Sequence, residues 1–344
     1  MSESPQLSQS ASARDDVQLD DATAKDYYFD SYSHFGIHAE MLKDRVRTMA
    51  YKRAIMNNKH LFKDKVVLDI GCGTGILCMF AAKAGAKKVI GVDMAGIIKS
   101  ARQIVSDNGL SDVITLIRGK VEEIELPDGI DKVDIIVSEW MGYFLLYESM
   151  LDTVLYARDK WLKEDGIILP DRARIFVGAI EDADYKADQL DFWRDVYGFN
   201  MSCMREQVIC EPLVDEVPDD ALISTAVPVL DVDIKTVTLE QLDFASEFSL
   251  KATVTSDCHA ICAWFDCFFS HGRTAVHLST GPQDEYTHWK STVFYLDSDL
   301  CVSKGDKITG DIVVHRNPHN KRDIDITLTT RHKDTEQSRK YFLR

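Results

Sequence analysis

Two carboxylates, Glu139 and Glu148, stand nine residues apart in the run Ser138-Glu139-Trp140-Met141-Gly142-Tyr143-Phe144-Leu145-Leu146-Tyr147-Glu148-Ser149-Met150. Anionic groups set among so many aromatic and apolar side chains are costly to bury unless a cation pairs with them, so the chemistry this loop fits is the holding of a cation. Glu148 alone would also suit the start of a helix from Ser149 to Trp161, where negative charge meets the helix dipole. That account leaves Glu139 without work.

A second group of residues concerns a cofactor. In Val66-Val67-Leu68-Asp69-Ile70-Gly71-Cys72-Gly73-Thr74-Gly75 a strand must turn sharply into a helix, and glycine there permits positive φ and close approach of a ligand to the backbone. The third glycine comes one position earlier than in the dinucleotide fingerprint, which disfavours a nicotinamide cofactor and leaves S-adenosylmethionine as the expected one. Asp69 precedes the turn. Asp93 closes the next strand, Lys88 to Asp93, where a carboxylate accepts from ribose hydroxyls. Glu122, after the third strand, suits an adenine amino group or, beside Glu123, a solvated face.

These residues need a scaffold. Val66–Ile70, Lys88–Asp93, Val113–Arg118, Val133–Ser138 and Gly166–Leu169 read as strands, and Ile76–Lys83 and Ile97–Asp107 as helices closed by Gly85 and Gly109. Apolar strands alternating with helices imply a parallel sheet covered on both faces. After Arg172 short strands predominate, at 174–180, 248–255, 260–269, 292–296, 308–315 and 324–330, implying an all-β second domain, a sandwich or barrel. The expected organisation is a disordered tail over residues 1–21, N-terminal helices with a Rossmann-like cofactor-binding domain over 22–170, and a β domain over 171–344. Ile37–Asn57 reads as amphipathic helix. Tyr185–Met204 reads as one further helix whose Leu190, Trp193, Val196 and Tyr197 serve either a partner or its own domain.

Forty Lys and Arg against 56 Asp and Glu give a formal charge of −16. That excludes a general electrostatic grip on nucleic acid and admits a basic partner, although acidity also serves solubility. No apolar run reaches the length of a membrane span, and the N-terminus has no apolar leader, so neither membrane insertion nor export is expected. Eight cysteines in a chain of this kind fit a reducing compartment. Cys258, His259, Cys262, Cys267 and His271 lack a paired zinc spacing, and strand alternation sets 258 and 262 on the face opposite 267, so no metal is expected.

The Ser138–Met150 loop, the earlier Tyr28-Phe29-Asp30-Ser31-Tyr32 and the late Tyr286-Thr287-His288-Trp289-Lys290 resemble the signatures of type I protein arginine methyltransferases, in particular their predominant eukaryotic form, over roughly residues 26–344. The resemblance implies a Rossmann-like S-adenosylmethionine-dependent methyltransferase domain, then a β-barrel domain with a helical dimerisation arm at about 183–217. It also implies a homodimer with scope for higher assembly. By the same resemblance Glu139 and Glu148 clamp the substrate guanidinium, and Arg47 pairs with the cofactor carboxylate. Asp93 and Glu122 match ribose and adenine ligands, with Asp69, Gly71 and Gly73 in the binding turn and His38 covering the cofactor. Met41 and Met150, with Tyr32, shape the acceptor pocket, and Met41 also lies in the cofactor-covering segment. His288 with Asp44 is the candidate proton acceptor or relay. Asp93 stands where many members carry glutamate.

The implied reaction is methyl transfer to arginine nitrogens of Arg-Gly-rich proteins and histones, giving monomethyl and asymmetric dimethylarginine, in nucleus and cytoplasm. A guanidinium has a pKa near 13.8 and delocalised lone pairs, so two carboxylates drawing its charge to one side would free the remaining nitrogen to attack. A dehydrogenase gives the paired glutamates no role. A methyltransferase for small cations leaves the Tyr-Thr-His-Trp run unexplained, and a non-catalytic cofactor-binding scaffold would have lost Glu139 or Glu148.

Overall fold

The computed structural model describes residues 34–127 and 129–344. The expected tail and the Tyr28–Tyr32 motif, with its pocket residue Tyr32, lie outside them. Two helices lead in, α1 (Phe35–Lys43) and α2 (Arg45–Met56), followed by the short α3 (Lys59–Phe62). Asp44 separates the first two because its carboxylate caps α2, accepting from Arg47 N at 2.9 Å. Tyr51, Ala54 and Ile55 on α2 are buried in the core shared with the sheet that follows.

That sheet contains β1 (Val66–Ile70), β2 (Lys88–Asp93), β3 (Ile114–Arg118), β4 (Val133–Ser138) and β5 (Leu162–Leu169). Between them run α4 (Ile76–Lys83), α5 (Ile98–Asp107) and α6 (Leu151–Trp161). Its order is β3-β2-β1-β4-β5, and every pairing is parallel. Chain connections run one way from β1 to β2 and β3, then return to β4 on its other side. That reversal opens a crevice at the C-terminal ends of β1 and β4.

The second half is antiparallel. One sheet carries β6 (Arg172–Ile180), β7 (Leu213–Asp215), β8 (Val227–Asp233), β10 (Ser256–Phe269), β11 (Val276–Ser279) and β12 (Ser291–Val302). The other has β9 (Phe244–Lys251), β13 (Lys307–Arg316), β14 (Ile324–His332) and β15 (Thr335–Leu343). Tyr341 Oη donates to the Tyr295 carbonyl at 2.7 Å where the sheets meet, and Phe248, Phe294 and Leu328 belong to a shared core, so the two sheets form the barrel.

Two expectations need correction here. Tyr185–Met204 is not one helix: α7 (Ala183–Gln189) and a 3-10 turn, Asp191–Arg194, precede a tight turn between Val196 and Phe199, and α8 (Cys203–Val208) follows. Tyr197 and Gly198 both have positive φ, at 52° and 87°, which a continuing helix does not allow. Nor do Cys258 and Cys262 share a face: Cys258 lies with Cys267 in the main core and Cys262 in the smaller one. The pairing with β12 shifts between Cys258, opposite Leu300, and Ala260, opposite Tyr295, and the regular alternation breaks at that irregularity.

Candidate active site

The crevice at β1 and β4 starts from one point. Ile70 pairs with Ser138 across the strands, and Ser138 Oγ donates to the Ile70 carbonyl at 2.8 Å. From there the glycine turn leaves one strand and the carboxylate loop the other. The cavity they border, of about 620 Å³, is lined by both, by α1 and α2, and by the barrel segment at His288.

Gly71, Gly73 and Gly75 hold φ of 70°, 52° and 84°. A Cβ on Gly71 would stand 2.4 Å from Met150 Cε, and one on Gly73 3.2 Å from His38 Nδ1. Glycine therefore lets Met150 and the buried His38 close over the turn. Asp93 grips it from the next strand: one carboxylate oxygen accepts from Gly73 N at 2.8 Å and the other from Ala95 N at 2.8 Å. Burial raises the Asp93 pKa above the ordinary carboxylate value, with those two amides pulling the other way. Each oxygen keeps a second lone pair for a hydroxyl. Glu122 is exposed on the cavity rim and accepts from Thr153 Oγ at 2.9 Å.

Asp69 is placed differently from the expectation. It is fully buried behind the turn and is not among the cavity-lining residues, because its side chain points into the core and accepts from Cys78 Sγ at 3.0 Å. Burial pushes its pKa up to about 7, against the lowering effect of the Cys78 contact. It shapes the turn from below.

Glu139 and Glu148 both line the cavity. Glu139 is nine-tenths buried and bound to Arg47, whose Nε and Nη2 reach the same carboxylate oxygen at 2.9 and 2.8 Å. Arg47 Nη1 also donates to the Met41 carbonyl at 3.3 Å. The expected partner of Arg47 was a cofactor carboxylate; its partner in the structure is Glu139, and the two buried opposite charges satisfy each other. Glu148, half-buried, has its pKa raised first by burial and then by Asp323, while Arg322 lowers it.

The barrel holds the carboxylate loop in place. Trp289 Nε1 donates to the Met141 carbonyl at 3.1 Å, Phe144 packs edge-on against Phe294 at 5.7 Å, and Glu148 N donates to the Arg322 carbonyl at 3.0 Å. Phe144, Leu145 and Glu148 have positive φ of 50°, 64° and 54°, a costly backbone for residues with side chains that persists only where tertiary contacts fix it. At Gly142 a Cβ would lie 1.6 Å from the Tyr147 carbonyl, so only glycine lets the loop fold back on itself.

His288 lines the cavity, and Asp44 stands behind it. The Asp44 carboxylate meets His288 Nδ1 at 2.7 Å and accepts from His288 N at 2.9 Å. Burial raises the Asp44 pKa, but the bonds from His288 and Arg47 outweigh it and hold the carboxyl below its usual value. Met41 and Met150 both reach the cavity wall. Sequence reasoning missed Arg322 and Tyr51, whose Oη donates to the Ser138 carbonyl at 2.9 Å, and gave Trp289 no role of its own within its signature.

A cavity of this volume, with a glycine floor, a carboxylate beside it and a buried arginine at its inner end, fits a nucleoside bearing a charged amino-acid tail. Residues 61–210 match the family described as a methyltransferase domain. Residues 171–335 match the arginine methyltransferase oligomerization subdomain. The chain is 59% identical to protein arginine N-methyltransferase 1 of Schizosaccharomyces pombe over 307 residues, covering 89% of this chain and 90% of that one. It is 53% identical to the Dictyostelium discoideum protein of the same name, covering 90% and 91%. Among solved structures it resembles the Trypanosoma brucei PRMT1 enzyme-prozyme heterotetrameric complex with AdoHcy, with a TM-score of 0.89, 47% identity, and coverage of 92% of this chain and 100% of that one.

Proposed function

The chain belongs to the protein arginine N-methyltransferase family, and from that premise we propose that it is a type I enzyme in which Glu139 and Glu148 clamp the acceptor guanidinium. The observation that carries the proposal is the convergence of both carboxylates on the cavity that also holds the glycine turn. When bound, S-adenosylmethionine supplies an electrophilic sulfonium methyl group. The residues suited to hold it are Gly71 and Gly73 through the backbone, Asp93 at the ribose, Glu122 at the adenine, Arg47 at the carboxylate and His38 as cover. Arg47 would then touch both the cofactor and Glu139.

Glu139 and Glu148 accept from the guanidinium and draw its charge toward the nitrogens they hold, leaving the third nitrogen's electron pair to attack. His288, oriented by Asp44, takes the proton released there and passes it outward. Met41 and Met150 crowd the acceptor pocket and favour the asymmetric dimethyl product over the symmetric one. Basic acceptors such as Arg-Gly-rich proteins and histone tails suit a chain of charge −16. The arm at 183–217 lies within the oligomerization subdomain and carries exposed Phe192, Tyr197 and Phe199, which supports a homodimer. Eight free thiols support the nucleus and cytoplasm as its compartments.

The test is incubation of the protein with labelled cofactor and an Arg-Gly peptide or its Lys twin, with mass spectrometry of the product. Asymmetric dimethylarginine on the first peptide alone supports the reading. With Glu148→Gln, turnover is expected to fall by about a hundredfold or more while cofactor binding persists. Near-normal turnover in that variant would remove the clamp from the mechanism.

A further inference from the structure

Glu148 is held by a segment of the barrel that the sequence did not single out. Residues 317–323 join β13 to β14 and are closed by their own bonds: Asn317 N donates to the Asp323 carbonyl at 2.9 Å, Asn320 N to Asn317 Oδ1 at 3.1 Å, and Asn320 Nδ2 to Asp323 Oδ1 at 2.9 Å. From this closed turn the Arg322 carbonyl accepts from Glu148 N at 3.0 Å. Arg322 and Glu148 line the same cavity, and the charge of the Arg322 guanidinium acts on the Glu148 carboxyl.

From this geometry we infer that Arg322 is a positioning residue for the acceptor clamp: its carbonyl fixes Glu148 in left-handed backbone, and its guanidinium keeps the Glu148 carboxylate charged. The inference rests on the role proposed above for Glu148. The groups facing that carboxylate are Tyr143 and Tyr147 on its own loop, Arg322 and Asp323 from the barrel turn, and Glu139, paired with Arg47, across the cavity. Burial and Asp323 favour a protonated Glu148, and Arg322 supplies the opposing charge.

The same cation stands close to where a second cation must bind. A fixed guanidinium beside the clamp therefore has two opposed effects on an arginine substrate. It keeps the carboxylate ionised at lower pH, and it repels the incoming charge once ionisation is complete. Replacing only the side chain removes both effects while the carbonyl bond to Glu148 N remains, and the pH at which each acts tells them apart.

The experiment uses the full chain as wild type, Arg322→Gln and Arg322→Lys, with two readouts. The first is the titration of the Glu148 side-chain carboxyl in protein labelled with 13C-glutamate, its resonance identified by loss in Glu148→Gln. The expected result is titration at higher pH in Arg322→Gln and return toward wild type in Arg322→Lys, whatever substrate the protein uses. The second is the pH profile of KM for an Arg-Gly peptide. On the acid side KM is expected to rise about tenfold in Arg322→Gln, and on the alkaline side to fall about threefold, with the lysine variant restoring both limbs. An unmoved Glu148 titration would overturn the inference, as would a KM raised equally at every pH, which marks a merely structural role. A moved titration with no methylation of the wild type would instead overturn the clamp and leave the electrostatic pairing standing.

Discussion

Arg47 donates to a single oxygen of Glu139 through two nitrogens, at 2.9 and 2.8 Å, with both side chains nine-tenths buried. Neither charge has water to fall back on, so each depends on the other. Arg47→Ala is expected to cost about 3 kcal/mol of stability, read as a lower denaturation midpoint, and to weaken cofactor binding in calorimetry. Arg47→Lys should recover part of the stability, since it restores the charge without the planar fork. Wild-type stability in Arg47→Ala would show that the pair is not holding this end of the cavity.

Gly71→Ala separates backbone from crowding. The new Cβ would meet the end of Met150, a flexible chain that can swing aside, so the cost arises mainly from φ at 70°. A loss of about 1 to 2 kcal/mol in folding is expected, with cofactor affinity falling about tenfold or more because the methyl group enters the binding turn. Thermal denaturation and cofactor titration on one sample check both. Loss of stability with unchanged affinity would place the ligand elsewhere.

Asp69 carries a pH signature. Its folded pKa of about 7 lies above the ordinary 3.8, because burial disfavours the charged form. The folded state therefore keeps a proton that the unfolded state releases. Its contribution is complete below pH 4 and disappears as pH rises through 7, by about 4 kcal/mol at most. Asp69→Asn should remove that slope. Denaturant melts at pH 5 and pH 8 are expected to show the variant gaining on wild type at the higher pH; parallel losses at both would refute the assignment.

Tyr197 is 95% exposed and Phe199 68%, at the tip of the broken arm. Apolar groups so displayed are costly unless a partner covers them. The wild type is expected to sediment as a dimer at micromolar concentration and the double variant Tyr197→Asp, Phe199→Asp as a monomer, with secondary structure unchanged by circular dichroism. A dimeric variant would move the interface off the arm.

The cofactor half was legible in sequence because its signals are local. Val66–Ile70 is a buried strand with a glycine turn at its end, and its bounds match the reading residue for residue. The barrel was less so. β15, with Glu336, Gln337, Arg339 and Lys340, pairs on one side only and keeps its polar groups, so it gave no apolar pattern. Tyr197 bends the arm through a backbone angle that its side chain does not announce. Asp44 and His288 meet across 244 residues, a pairing that family resemblance implies and no periodicity encodes. Arg322 touches Glu148 through a carbonyl, which no residue type reveals.

The left-handed residues of the carboxylate loop also bear on the order in which the protein is made. A ribosome delivers β1, the glycine turn and β4 well before Trp289, Phe294 and Arg322, the residues that hold Met141, Phe144 and Glu148. Until those later strands fold, the loop rests on its own bonds, such as Gly142 N to the Leu145 carbonyl and Leu146 N to the Phe144 carbonyl, and lacks the barrel contacts that support three residues in so unfavourable a backbone. On the function proposed above, the nascent chain is therefore expected to form the place for its methyl donor first and the grip on its acceptor last.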